Sequence, residues 1–153
     1  MKVWIKYFGV FGLGITLFAF SIAVSKNPEN SIQGQWDELI WEYEKVDKND
    51  TLNHDFKNIS DYVKDMIGES LVIHKAESWK FFPNGKLVLE GKEHSKQVTW
   101  CMKGRGNILE IKYDNQNIEH YNITELTKDK MVLNFDTDVH TRGIARLTFI
   151  KTK

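Results

Sequence analysis

The sequence holds a single cysteine, Cys101, among its 153 residues. An intramolecular disulfide is therefore impossible, so a hydrophobic core must stabilise the domain. A lone cysteine on a strand is more often a small buried apolar side chain than a nucleophile, and we assign Cys101 no catalytic role. No cysteine ends the apolar N-terminal run either, which excludes lipid attachment of the bacterial lipoprotein type.

The chain also lacks net charge, because 21 lysines and arginines balance 21 aspartates and glutamates. Residues 1–26 contain Lys2, Lys6 and Lys26 and no acid, which leaves 18 basic and 21 acidic residues in the remainder. This mild acidity offers no global attraction for a polyanion, and we expect no nucleic-acid partner. The length suits one domain with a core of its own.

No charged side chain occurs from Tyr7 to Ser25. As a helix this run would be about 28 Å long, close to the hydrocarbon thickness of a bilayer. Residues 1–25 therefore predict a membrane anchor or a signal peptide, with membrane contact through residues 7–25. Such a length favours a retained transmembrane helix, whereas Ala23-Val24-Ser25 would suit cleavage.

Lys2 and Lys6 precede the apolar run, so the positive-inside rule places the rest of the chain on the extracytoplasmic side, periplasmic or extracellular. The domain would be secreted if the N-terminus were cleaved. Residues 26–30, KNPEN, predict a short polar linker because Pro28 prevents helix continuation. The folded domain is then expected over residues 31–153.

One amphipathic helix is predicted from about residue 59 to residue 67. Apolar side chains recur there at helical spacing, at Ile59, Tyr62, Val63, Met66 and Ile67. Ser60 or Asn58 could cap its start and Gly68 could end it. Residues 47–57 before it are polar and predict a surface loop.

From about residue 73 the apolar period changes from 3.6 to 2, which indicates strands. In SWKFFPNGKLVLEG, Pro83-Asn84-Gly85 lies between two apolar runs and predicts a hairpin. About seven strands joined by short loops follow residue 73, in the spacing of an antiparallel meander. If residues 36–46 add an eighth strand, the sheet can close into a barrel.

The segment SIQGQWDELIWEYEKVD, residues 31–47, fits both a helix and a strand. As a helix it places Trp36, Leu39, Ile40, Tyr43 and Val46 on one stripe. As a strand it turns Leu39, Trp41 and Tyr43 to one side, and its aromatic content suits a pleated sheet. Periodicity slightly favours the helix, but the meander downstream favours the strand.

Gly34-Gln35-Trp36 at the start of this meander resembles the Gly-x-Trp with which lipocalins enter their first strand. Residues 31–151 are similar to a small bacterial lipocalin-like domain, which implies a mainly β fold with an eight-stranded antiparallel barrel and one short helix after the first strand. The resemblance also implies that Trp36 packs at the closed end. A basic side chain of the last strand would lie across it, Arg146 first and Arg142 second.

The barrel interior is the expected place for a small hydrophobic ligand, since barrel mouths commonly bind one. The predicted lining side chains are Trp79, Phe81, Leu89, Trp100, Met102, Tyr121, Phe135 and Phe149. Large rings on strands are normally core, however, so a barrel of this size could equally be filled by its own side chains. In that case the domain would be a protein-interaction or structural module of the cell envelope.

No motif predicts catalysis, a cofactor or a metal. His120 and the group Asp136, Asp138 and His140 contain metal-ligand types, but their spacing is not that of a zinc site. Lys103-Gly104-Arg105-Gly106 lies between two strands, so it predicts a hairpin and not a phosphate-binding loop. The sequence therefore predicts a non-catalytic, membrane-tethered, exported binding domain.

Overall fold

The computed structural model describes residues 27–46, 56–137 and 142–152. The predicted N-terminal segment of residues 1–25, most of the predicted loop of residues 47–57, and both Asp138 and His140 lie outside these ranges. Within the described residues, no helix has the length and apolar character that crossing a bilayer requires.

Two α-helices and nine strands are described. The helices are α1 (Pro28–Ile32) and α2 (Asp61–Gly68). The strands are β1 (Gly34–Lys45), β2 (Lys57–Asn58), β3 (Ser78–Phe81), β4 (Lys86–Glu90), β5 (Ser95–Lys103), β6 (Ile108–Tyr113), β7 (Asn117–Leu126), β8 (Lys130–Thr137) and β9 (Gly143–Lys151).

The strands form one closed antiparallel barrel. From β3 to β9 each strand pairs with the next in sequence, and β1 pairs with β3 on one edge and β9 on the other. The short β2 lies beside the far end of β1. The predicted antiparallel meander closing into an eight-stranded barrel, with one short helix after the first strand, is confirmed.

Strand β1 is the segment that fitted both a helix and a strand, and a β-bulge explains why. Its pairing with β9 shifts register between Glu38 and Ile40. A bulge adds one residue to a strand, so Trp36 and Trp41, five positions apart, are both buried. Leu39 is instead 61% exposed, so the prediction that it shares a face with Trp41 is wrong.

The barrel is closed at one end, which we call the floor, by helix α1. The side chain of Asn27 caps this helix by accepting from the backbone N–H of Glu29, and Pro28 occupies its first turn. Proline fits there because its missing N–H would have no partner in a helix anyway. Part of the predicted linker of residues 26–30 is therefore helical.

The opposite end, which we call the mouth, is covered by residues 59–76 of the β1–β3 connection, hereafter the lid. Helix α2 lies within it, and the hydroxyl of Ser60 accepts from the N–H of Val63 as its N-cap. Residues 67, 72, 73 and 76 bury apolar side chains against the barrel core. Tyr62, predicted on the apolar stripe, is 73% exposed.

Candidate functional site

All eight predicted lining residues belong to the inner face of the barrel. Trp79 pairs with Leu89 across β3 and β4, and Trp100 pairs with Ile111 across β5 and β6. Seven of the eight are buried in one hydrophobic core, and Met102 is partly buried against it. The sequence therefore predicted which side chains face inward; their role in binding a ligand stays a prediction.

Aromatic rings fill the middle of the barrel. Trp79 lies 4.8 Å from Phe149 and 6.1 Å from Tyr121, measured between ring centroids. Phe135 continues the chain, 5.5 Å from Tyr121 and 5.9 Å from Trp41. Rings at such distances are in contact, so no molecule fits between these pairs.

One carboxylate, that of Glu119 on β7, faces the interior at the mouth. Glu119 pairs with the fully buried Ile111, and its oxygens accept hydrogen bonds from the hydroxyls of Tyr113 and Tyr121. Burial and this carboxylate raise the pKa of Tyr113 to about 12 and raise that of Tyr121 well above its usual value. Both phenols therefore stay protonated as donors.

Glu119 also holds the lid. Its Oε1 accepts a hydrogen bond of 2.8 Å from the backbone N–H of Val72. At the other side of the lid, Lys64 on α2 makes a salt bridge with Glu38 of β1, and its ammonium lies 5.3 Å from the ring centroid of Trp41. Two polar contacts from opposite walls of the barrel thus fasten the lid over the mouth.

Two buried indole donors inside the barrel have no acceptor. Among the described residues, neither Nε1 of Trp41 nor Nε1 of Trp79 has a hydrogen-bond partner. Buried N–H groups are normally satisfied, so both are available to a polar atom that enters the interior.

A cleft of about 450 Å³ opens between the lid and the β4–β5 hairpin. Its apolar wall is formed by Val72, Ala76 and Leu89, and Leu89 belongs to the predicted lining set. Its polar wall carries both signs of charge, contributed by Asp61, Lys64, Asp65, His74, Lys75, Glu77, Lys92, Glu93, His94 and Lys96. Such a mixture can hold a molecule with one apolar and one polar part.

Gly91 allows the lid to lie close to the β4–β5 hairpin beside this cleft. A Cβ atom on Gly91 would lie 2.1 Å from the carbonyl oxygen of Lys75. No real side chain tolerates that distance, so the glycine allows the two backbones to touch. The width of the cleft depends on this contact.

At the floor, Trp36 is wholly buried and its indole N–H donates to the carbonyl oxygen of Ile32 at 2.6 Å. The cation over its ring is Lys151, whose Nζ lies 4.8 Å from the centroid. The assignment of this role to Arg146, or second to Arg142, is wrong. The β1–β9 register places Lys151 opposite Trp36 and Arg146 opposite Glu42.

Arg146 instead lies on the outer face of β9. Its guanidinium carbon lies 3.4 Å from the ring centroid of Phe56, and Nη1 lies 4.0 Å from the carboxylate of Glu42. These contacts hold the end of the β1–β2 connection against the barrel wall.

A second polar cluster crosses the outer wall, where Cys101, Glu110 and His120 are cross-strand neighbours on β5, β6 and β7. His120 lies 3.0 Å from the carboxylate of Glu110, and the Cys101 thiol donates a hydrogen bond of 3.3 Å to the same carboxylate. The hydrogen bond with His120, followed by that from Lys112, lowers the pKa of Glu110 to about 2.

This cluster is poorly suited to nucleophilic chemistry. Burial, followed by the hydrogen bond to Glu110, raises the pKa of the Cys101 thiol. The thiolate is the reactive form, and a carboxylate with a pKa of about 2 is a weak base. Among the described residues no group of three or more His, Cys, Asp and Glu side chains is arranged to bind a metal, and Asp136 is exposed.

The sequence did not lead us to predict that Glu119 faces the barrel interior or that part of the lid is buried. Glu119 has the same strand parity as Tyr121, which could have placed it inside the barrel. The sequence VIHKA after α2 contains the buried Val72, Ile73 and Ala76, but it was assigned to the beginning of the strands.

No family model and no curated protein matches this chain. Among solved structures, bovine odorant-binding protein in complex with a selenium-containing odorant is 14% identical, with a TM-score of 0.42 over 85% of this chain and 75% of that one. The same bovine protein in complex with undecanal is 13% identical, with a TM-score of 0.40 over 85% and 76%. The barrel assignment rests on the strand pairings described above.

Proposed function

We propose that this chain is a membrane-tethered, non-catalytic binding barrel that holds a small amphipathic molecule in the mouth cleft. The observation that carries the proposal is the cleft itself, which joins an apolar wall of Val72, Ala76 and Leu89 to a charged rim under the lid. Its volume of about 450 Å³ lies within the range of small-molecule sites, about 300 to 1,000 Å³.

The apolar part of the molecule would lie against Leu89, above the aromatic rings that fill the middle of the barrel. Trp79 is the cross-strand partner of Leu89, but it is wholly buried and does not line the cleft. The polar part would remain at the rim, beside Lys75 and His94. The site is thus at the mouth of the barrel, whereas the predicted lining residues in the middle pack against one another.

Binding without catalysis is supported by the state of the ionisable groups. The thiol of Cys101 has a raised pKa and the carboxylate of Glu110 a lowered one, the reverse of what a nucleophile and its base require. Both lie on the outer wall, away from the cleft.

The proposed tether is the apolar run of residues 7–25, with the barrel on the extracytoplasmic side. It is supported by the absence of charge over a length sufficient to cross a bilayer and by Lys2 and Lys6 before it.

The test is thermal unfolding of the full chain with three probes of equal chain length: decanoate, decanol and decyltrimethylammonium. A ligand present at 100 times its Kd stabilises the folded state by about 2.7 kcal/mol, which raises Tm by several degrees. We expect at least one probe to raise Tm, and the three head groups report which charge the rim accepts.

Two variants locate the bound probe. Ala76→Leu adds volume to the apolar wall and narrows the cleft, so the probe should no longer raise Tm. Ile118→Leu, on the exposed outer face, should leave the shift in Tm unchanged. Absence of a shift with all three probes, or full binding by Ala76→Leu, would contradict the proposal.

A second candidate function is an envelope interaction module, favoured by the ring contacts that fill the middle of the barrel. The β1 bulge exposes Leu39, and Ile150 on β9 is 43% exposed. In this case no probe raises Tm. Leu39→Ser and Ile150→Ser would instead reduce crosslinking of the chain to a partner in its own membranes.

A further inference from the structure

The floor of the barrel has an uneven distribution of charge. Two adjacent hairpins, residues 80–87 and 102–109, contain Lys80, Lys86, Lys103 and Arg105 and no acid. The next acidic residue along the chain is Glu110. Its carboxylate lies 3.9 Å from Nζ of Lys103 and also forms ion pairs with Lys112 and His120. We call these two hairpins the basic sector.

The third hairpin at the floor differs. Between β7 and β8, Lys130 pairs with Glu125 at 2.8 Å and Lys128 lies 3.7 Å from Asp129. Its charges cancel locally, so this hairpin adds no net positive charge to that of the basic sector.

The basic sector is held rigidly. The indole N–H of Trp100 on β5 donates to the carbonyl oxygens of Phe82 and Lys86 in the β3–β4 turn, at 3.2 and 3.1 Å. The backbone N–H of Trp100 donates to the carbonyl oxygen of Gly85 at 2.8 Å. The two hairpins therefore present their charges as one unit.

Two of the cations lie near one aromatic ring. Nζ of Lys80 is 5.5 Å and Nζ of Lys86 is 5.4 Å from the ring centroid of Phe82, which is half-buried at the tip of the hairpin. A ring flanked by ammonium groups suits the boundary between water and lipid head groups, where the ring contacts apolar chains and the cations contact phosphates.

The part of the chain that the structure describes begins beside this sector. Helix α1 begins at Pro28, and a Cβ atom on Gly106 would lie 2.5 Å from Cγ of Pro28, so the start of the helix rests on the β5–β6 hairpin. Only Lys26 and Asn27 separate Pro28 from Ser25, the end of the apolar run. At no more than about 3.6 Å per residue, the chain brings that end within about 11 Å of the basic sector.

We propose that the basic sector docks the floor of the barrel onto an anionic lipid surface, so that the mouth cleft points away from the membrane. The inference rests on the proposed tether, which places phosphates next to these residues. Lysine and arginine near an anionic bilayer each strengthen attachment about fivefold. Four cations with one adjacent carboxylate, that of Glu110, leave the sector with a net positive charge that favours the docked orientation.

The test uses full-length chain reconstituted into vesicles, with Cys101→Ser and Asn84→Cys to carry a fluorophore at the tip of the β3–β4 hairpin. Lipids bearing a nitroxide on the head group quench a fluorophore that touches the surface. We expect stronger quenching with phosphatidylglycerol present than with phosphatidylcholine alone, and loss of the difference at high salt. A fluorophore at Glu93→Cys, at the mouth, should show no quenching on either lipid.

Charge variants give the matched control. Lys80→Gln with Lys86→Gln should lower the ratio of docked to undocked protein about 25-fold. Lys92→Gln with Lys96→Gln removes the same charge at the mouth and should leave the ratio unchanged. Equal effects of the two pairs would show a general charge effect and overturn the docking surface.

The same samples separate docking from tethering. If the protein floats with both kinds of vesicle but Asn84→Cys is quenched equally on them, the tether is correct and the docking surface is wrong. If it floats with neither, the tether fails, and docking fails with it. Tight binding of duplex DNA or polyglutamate without quenching on anionic vesicles would assign the sector to another polyanion and overturn the proposal.

Discussion

The backbone N–H of Val72 in the lid donates a hydrogen bond of 2.8 Å to the carboxylate of Glu119 on the opposite barrel wall. The same carboxylate accepts from Tyr113 and Tyr121, so three donors converge on one side chain at the mouth. The lid is therefore fastened to the interior of the barrel, and not only to its rim.

Glu119→Ala should loosen the lid. It leaves the Val72 N–H and the buried Tyr121 hydroxyl without their acceptor, and an unsatisfied buried donor costs about 1 to 3 kcal/mol. Denaturant unfolding measures the loss, and hydrogen exchange at Val72 should accelerate more than at the floor. Glu119→Gln is the control, because its amide oxygen can still accept. Unchanged exchange at Val72 in the alanine variant would show that the lid does not depend on this contact.

Gly91→Ala should displace the lid from the β4–β5 hairpin. The added Cβ would lie 2.1 Å from the Lys75 carbonyl oxygen, so the backbone must move, at a cost of about 1 to 3 kcal/mol. We expect a lower free energy of unfolding and weaker binding of any probe that the mouth cleft accepts. Gly68→Ala serves as the comparison, since the nearest atom to its added Cβ would be Cδ2 of the His74 side chain, at 3.3 Å. An equally stable Gly91→Ala protein would contradict the contact.

The cation over Trp36 can be identified by double-mutant cycles. Trp36→Leu combined with Lys151→Gln should show a coupling energy of about 0.5 to 2 kcal/mol, because the ammonium lies over the indole ring and leucine has no aromatic face. The same cycle with Arg146→Gln should give a coupling near zero, since Arg146 contacts Phe56 and Glu42. A larger coupling to Arg146 than to Lys151 would reverse our assignment.

Glu110 should make stability depend on pH in acid. Its pKa is about 2 in the folded protein against an ordinary value of 4.5, so the folded state favours the carboxylate. This contribution to stability is present above pH 4.5 and is lost as the pH falls towards 2. Glu110→Gln should flatten the dependence in that window, as measured by denaturant midpoints at successive pH values. His120→Ala, which removes the largest cause of the shift, should reduce the dependence without abolishing it.

Strand positions and turns were predictable because they follow from local chemistry. The period-two alternation identified the inward set that includes Trp79, Tyr121 and Phe149, and Pro83-Asn84-Gly85 marked a hairpin in which Gly85 has a φ of 76°. Both depend on a few neighbouring residues and on the need to bury apolar surface. The burial of Trp36 at the closed end followed instead from the resemblance of Gly34-Gln35-Trp36 to the first strand of lipocalins.

Details of register were not predictable. The bulge at Leu39 lets Trp36 and Trp41 share the interior although their spacing is odd, and nothing local marks it. The β1–β9 pairing gives the place over Trp36 to Lys151 and moves Arg146 to the outer wall. Arg146 is opposite Glu42, six positions along β1 from Trp36, and it points outward because alternate side chains of a strand point to opposite faces.

The amino-acid order alone determines that this chain forms an antiparallel barrel with a helix after its first strand and an uncharged N-terminal run. The mouth site and the basic sector arise from closure of that barrel. Closure brings Val72 to Glu119, 47 positions apart, and places two basic hairpins beside the start of α1 although the chain beyond residue 26 carries a net negative charge. Contacts of this kind depend on strand pairing between distant segments, which composition and local periodicity do not encode.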